Sequence, residues 1–163
     1  MLFRSAAPGG VYSTMDKVTY SSDTRSTLPS TGSLSVARYQ LAAASSSTAG
    51  YFGGGNTPSP GNYSTMDKVT YSSDTRSTLP STGALSVSRY LLAATSSSTA
   101  GYFGGGSGPV STMDKVDYTS DTRTAVPGAA LSAARYGLAA SSARGNSLPI
   151  PATATVKIGR AHV

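Results

Sequence analysis

Residues 13–55 read STMDKVTYSSDTRSTLPSTGSLSVARYQLAAASSSTAGYFGGG, and residues 64–106 read STMDKVTYSSDTRSTLPSTGALSVSRYLLAATSSSTAGYFGGG. The second stretch repeats the first at an offset of 51. Only Ser33/Ala84, Ala37/Ser88, Gln40/Leu91 and Ala44/Thr95 differ, so 39 of 43 positions are identical. A third copy begins at Ser111, 47 residues after Ser64, and keeps STMDKV, SDTR, a Pro, LS, ARY and LAA before it diverges beyond Ala140. Self-similarity at such a period marks a repeat architecture, in which each unit buries its faces only against its neighbours. The chain divides into repeat 1 (12–62), repeat 2 (63–110), a partial repeat 3 (111–143) and a divergent tail (144–156). The linkers NTPSPGNY (Asn56–Tyr63) and SGPV (Ser107–Val110) differ in length at the same point of the repeat, as a surface loop tolerates.

Within one copy the pattern predicts four short strands. Thr14–Ser21 sets Asp16, Val18 and Tyr20 on one face at period two. Ser22-Asp23-Thr24-Arg25 is turn chemistry, because Ser and Asp side chains bond their own backbone. A short strand then runs to Leu28-Pro29, where Pro ends ladder pairing. Gln40–Ser45 is a strand of small side chains; Ala is a poor strand former, so packing must select it. Gly50–Gly54 is the fourth, and its glycines predict close backbone approach or a tight exit turn. Leu34, Arg38 and Leu41 also fit helical spacing over residues 34–47. The flanking Ser, Thr and Gly clusters favour strands there, and the expected class is all-β.

Composition agrees. Charged residues are 12% of the chain, with 18 Gly, 10 Tyr, no Trp and no Cys. A helical bundle would need more Leu, Glu and Lys. Without Cys there are no disulfides and no thiolate metal sites. No apolar run is long enough to span a membrane. The formal charge is +6. Its reading depends on the two ends. Ile158–Val163 is what the codons ATC GGA AGA GCA CAC GTC encode, a string that resembles a sequencing-library adapter, and Met1–Ser5 fits the opposite adapter arm. Residues 1–5 and 157–163 are therefore expected to be adapter-derived, and the chain to be a fragment of a longer protein. Setting aside Arg4, Lys157 and Arg160 leaves 10 basic residues against 7 acidic ones. That mild excess, spread over the repeats, does not predict a nucleic-acid partner.

Read from Arg38, a copy runs Arg, a small apolar strand, Gly-Tyr-Phe-Gly-Gly-Gly, a variable loop, Asp-Lys-Val-Thr-Tyr, a turn and a Leu-Pro exit. This resembles the kelch repeat of β-propellers. The matching positions are Arg38 and Arg89, the pairs Gly53-Gly54 and Gly104-Gly105, and Tyr20, Tyr71 and Tyr118. The family's fourth-strand Trp is absent; Arg25-Ser26-Thr27 is the nearest stretch. The Tyr-Phe-Gly-Gly-Gly repeats are also similar to those of environmental phage structural proteins. The resemblance implies four-stranded blades, two of them complete (about Arg38 to Pro80 and Arg89 to Pro127), with partial blades on either side. Closed propellers need about four blades or more, so further blades of the same longer chain are expected partners.

Asp16, Asp67 and Asp114 recur beside a Lys. They predict either a ring of carboxylates binding metal or sugar, or structural pairs with Arg38, Arg89 or Arg135 across blades. The second reading is favoured because each occurs once per unit at an equivalent position. Tyr51-Phe52 and Tyr102-Phe103 are expected to pack between blades rather than stack on a ligand. Gly-Tyr-Phe-Gly-Gly-Gly lacks the Lys-Ser/Thr of a phosphate loop. The single His162 has no second His and no Cys to work with, so neither a His-based triad nor a zinc site can be assembled. The expectation is a non-catalytic, cofactor-free binding or structural segment whose partner is a protein or a glycan. The alternative is a scaffold for an enzyme whose catalytic residues lie elsewhere.

Overall fold

The computed structural model describes residues 10–59 and 61–142, with the backbone of two short strands before them. The divergent tail and residues 157–163 lie outside the described residues. The strands are β1 (Leu2–Phe3), β2 (Ala6–Ala7), β3 (Gly10–Val11), β4 (Met15–Thr19), β5 (Thr24–Thr27), β6 (Ala42–Ser45), β7 (Ala49–Gly53), β8 (Met66–Thr70), β9 (Thr75–Thr78), β10 (Ala93–Ser96), β11 (Ala100–Gly104), β12 (Met113–Asp117) and β13 (Arg123–Ala125). The protein is all-β, built on antiparallel four-stranded sheets that are open rather than closed into a barrel. Residues 34–47 form no helix; they run as loop into β6.

Two sheets are complete and equivalent, with orders β6-β7-β8-β9 and β10-β11-β12-β13. We call them the second and third sheets. A first sheet has the order β1-β4-β5, and β2 pairs with β3 alone. Each complete sheet takes its inner two strands from one sequence copy and its outer two from the next. The long Gly-Tyr-Phe-Gly strand can pair only after the variable linker has brought the following Met-Asp-Lys-Val strand alongside it. The register is Ala49↔Thr70, Tyr51↔Lys68 and Phe52↔Asp67 in the second sheet, and Ala100↔Asp117, Tyr102↔Lys115 and Phe103↔Asp114 in the third. Residues 2–3, set apart from the repeats by sequence, pair with β4 (Leu2↔Asp16, Phe3↔Met15). They hold there the place that Phe52 and Gly53 hold beside β8.

The sheets stack face to face, and both faces of a middle strand are therefore covered. Period two sorts the side chains. Met66 and Lys68 face the following sheet, while Asp67 and Val69 face the preceding one. One cluster packs Phe52 and Val69 of the second sheet against Met15, Leu28 and Leu34, with Leu41 at its edge. The next repeats it one unit on, packing Phe103 and Val116 of the third sheet against Met66, Leu79, Leu85 and Leu92. The inner strands explain their alanines: a Cβ on Gly101 would lie 2.8 Å from the Cβ of Ala44 on the neighbouring sheet, so only small residues allow this approach. Gly54 has φ +73°, and a Cβ there would meet the Arg89 carbonyl at 2.5 Å. The second glycine of each pair thus serves both a left-handed turn and a close crossing.

Candidate functional site

The residues singled out by sequence converge on the junctions between sheets. Arg38 lies in the connection leading into β6 and is wholly buried. Its Nη2 donates to the Phe52 carbonyl at 3.2 Å and to Asp67 Oδ2 at 3.1 Å. Phe52 and Asp67 are cross-strand partners, so one guanidinium ties the connection to two adjacent strands. Ser35 adds its backbone N–H and its hydroxyl to the same carboxylate oxygen, both at 2.9 Å. Thr78 Oγ1 donates to Oδ1 at 2.8 Å. Arg89 and Asp114 repeat the arrangement at 3.0 Å, with Ser86 in the place of Ser35. Burial pulls the Arg38 and Arg89 guanidiniums below their usual pKa, and the facing carboxylates offset part of that fall.

The pairing differs from expectation in one respect. Arg38 and Asp67 belong to successive sequence copies yet to the same sheet, so the bond fastens a sheet to its own entry connection rather than joining two sheets. Asp16 bonds Arg25 at 3.0 Å and Thr27 at 2.8 Å, as Asp67 meets Arg76 and Thr78. The other end of the stack departs from the pattern. Arg135 is exposed, and its side chain donates to the Ala133 carbonyl and Ser132 Oγ, both at 3.3 Å, with no carboxylate partner among the described residues. Gly53 and Gly104 close β7 and β11, and Gly54 and Gly105 follow with positive φ. Tyr20, Tyr71 and Tyr118 stand one residue beyond their strands rather than on them.

A second device, not foreseen from sequence, clasps sheet to sheet. Lys17 Nζ reaches Asp74 at 2.9 Å, and Lys68 Nζ reaches Asp121 at 2.7 Å. Asp74 and Asp121 sit in the turns before β9 and β13 with φ of 51° and 56°, which aims each carboxylate back at the preceding sheet; the turn expected over Ser22–Arg25 ends at Asp23, since Thr24 and Arg25 already pair in β5. The turn reading of these aspartates therefore captured half of their role. The recurrence of Lys and Asp in every copy was the available signal. At the second-to-third junction Tyr51 Oη also donates to Asp121 at 2.8 Å, and its ring stacks on Tyr118 with centroids 4.8 Å apart.

Burial, then the bond to Asp121, raises the Tyr51 phenol far above its usual pKa; burial also raises Tyr118 and Tyr71. A phenol that ionises later in the folded state keeps its proton while the unfolded chain loses one. Stability is then intact below about pH 10 and falls as pH rises beyond it. The melting temperature is expected to drop above about pH 10, and Tyr51→Phe to flatten that drop. An identical alkaline profile in the variant would remove Tyr51 as its source. Lys68 and Asp121 face the same phenol, so the difference between the two proteins is what isolates its contribution.

Both carboxylate oxygens of Asp67 are engaged within the protein, Oδ2 by Arg38 and Ser35 and Oδ1 by Thr78. Among the described residues no three His, Cys, Asp or Glu side chains gather as a metal site. No protein-family model matches the chain, and no curated protein matches it.

Proposed function

We propose that the chain is a segment of a kelch-like β-propeller whose four-stranded sheets are its blades, acting without catalysis in protein or glycan binding or as a structural component. The observation that carries this reading is the unit-by-unit recurrence of the junction: a buried Arg–Asp pair inside each complete sheet and a Lys–Asp clasp to the next. A device repeated once per unit builds architecture, whereas a catalytic centre uses one singular constellation. Binding then falls to the parts the repeat leaves free to vary, the loops joining β7 to β8 and β11 to β12.

Two experiments separate the parts of this reading. Chains lengthened by whole copies of residues 64–110 are expected to gain stability abruptly at the copy number that closes a ring. A smooth rise that levels off describes an open stack instead. A glycan and protein array probed with the full chain is expected to give hits that are lost when residues 56–63 are replaced by the shorter linker of residues 107–110, with the melting temperature unchanged. Hits that survive the exchange would place binding elsewhere.

A further inference from the structure

The two ends of the described stack are the two halves of its own junction. On the last complete sheet, Tyr102 and Lys115 occupy the positions of Tyr51 and Lys68. In the second sheet those residues grip Tyr118 and Asp121 of the sheet that follows. Among the described residues Lys115 makes no clasp like that of Lys17 or Lys68; the carboxylate that feels its charge is Asp117 on its own strand. Beside it runs an apolar groove that includes Met113, Leu131 and Leu138. Its counterpart one unit back, with Met66, Leu85 and Leu92, is filled by Phe103 and Val116 and fully closed. Residues 139–142 already lie where the innermost strand of a further sheet belongs. Ser142 Oγ accepts from the Ser96 N–H at 3.0 Å, just as Ser96 Oγ accepts from the Ser45 N–H at 2.9 Å.

The first sheet carries the complementary half. Tyr20 is 81% exposed, whereas its equivalents Tyr71 and Tyr118 are partly covered by a preceding sheet. Asp23 has φ 51°, the same turn geometry as Asp74 and Asp121, and it is exposed with no cation in reach among the described residues. Val18 is half-buried, whereas Val69 and Val116 are fully buried in the groove of the sheet before them.

We propose that a second copy of this chain docks head to tail on the third sheet. Its Asp23 meets Lys115, its Tyr20 stacks on Tyr102, and its Val18 enters the groove of Met113, Leu131 and Leu138. The occupant is a second copy because the second-to-third junction already has this arrangement, because the Lys–Asp clasp recurs at both internal junctions, and because the two ends carry opposite charges at the matching position, Lys115 and Asp23. The contact needs the outer face of the third sheet to be free of a further sheet of the same chain, as it is in an open stack.

Sedimentation velocity of the full chain over a wide concentration range tests it. The chain is expected to associate reversibly. Asp23→Lys and Lys115→Asp alone each place like charges at the contact and should weaken association by about tenfold or more. The double variant restores opposite charges and should recover it, as should an equimolar mixture of the two single variants. Circular dichroism establishes that each variant is folded, since both residues are on the surface. A chain that stays monomeric throughout, or single variants that associate like the parent, would overturn the proposal. So would a double variant no better than the singles.

Discussion

Asp67→Ala is expected to lower stability by about 3–5 kcal/mol, the usual cost of leaving one partner of a buried ion pair behind. The carboxylate is wholly buried and holds Arg38, the Ser35 N–H and hydroxyl, and Thr78 together. Its removal strands a cation that already has Nε and Nη1 without hydrogen-bond partners. The guanidinium cannot relieve this by losing its proton near neutral pH, even with its pKa lowered. Arg25→Ala is the matched control. The Arg25 side chain is 61% exposed, and its pair with Asp16 should be worth less than about 1 kcal/mol. Adding Arg38→Met to Asp67→Ala should recover much of the loss, because an apolar pair needs no solvation. Urea midpoints measure all three. An Asp67→Ala midpoint equal to that of the parent would show that the pair does not hold the sheet to its entry connection.

Phe103→Ala should cost a comparable amount, about 3–5 kcal/mol, through lost burial and the cavity left behind. The side chain is fully buried. It fills the space over Gly53 and Met66 of the preceding sheet, and its ring covers Gly101 on its own strand. Gly53 and Gly101 offer no side chain to refill the gap, so it closes only as far as Met66 and the surrounding leucines can move. Tyr136→Ala, at a position 58% exposed, should stay within about 0.5 kcal/mol. Because Phe103 is the main apolar plug between the second and third sheets, its loss should also broaden the unfolding transition as the sheets begin to melt separately. A sharp transition with an unchanged midpoint would show that the plug is not what couples them.

The strands and turns were legible because period-two alternation, Pro and Gly are local signals. Met15–Thr19, Thr24–Thr27, Ala42–Ser45 and Ala49–Gly53 all lie within or beside the stretches that pattern predicts. The alanines of β6 could be read as selected by packing, and the approach of Gly101 to Ala44 supplies the reason. Pairing was harder. Asp16 and Asp67 are identical in local sequence, so nothing local says that Arg38 should pass over the aspartate of its own copy and bond that of the next. That choice is made by the sheet, which begins in one copy and ends in another. The Lys–Asp clasp was hidden for the same reason, since its members are 53 to 57 residues apart. Tyr20, Tyr71 and Tyr118 kept the strand period but fell one residue past the ladder, where the turn begins.

Each complete sheet joins the end of one copy to the start of the next, and a cysteine pair tests this directly in a chain that has no cysteine of its own. Ala49 and Thr70 are cross-strand partners in adjacent strands from successive copies. Directly opposed residues at such a position have Cα atoms about 4.5–5.5 Å apart, within the span a disulfide bridges. Thr19 is the equivalent of Thr70 within the copy that contains Ala49, and it belongs to the first sheet. Under mild oxidation, Ala49→Cys with Thr70→Cys should form an intramolecular disulfide readily, and Ala49→Cys with Thr19→Cys should not. A disulfide in the second protein and none in the first would mean that each copy folds on itself, contradicting sheets shared between successive copies.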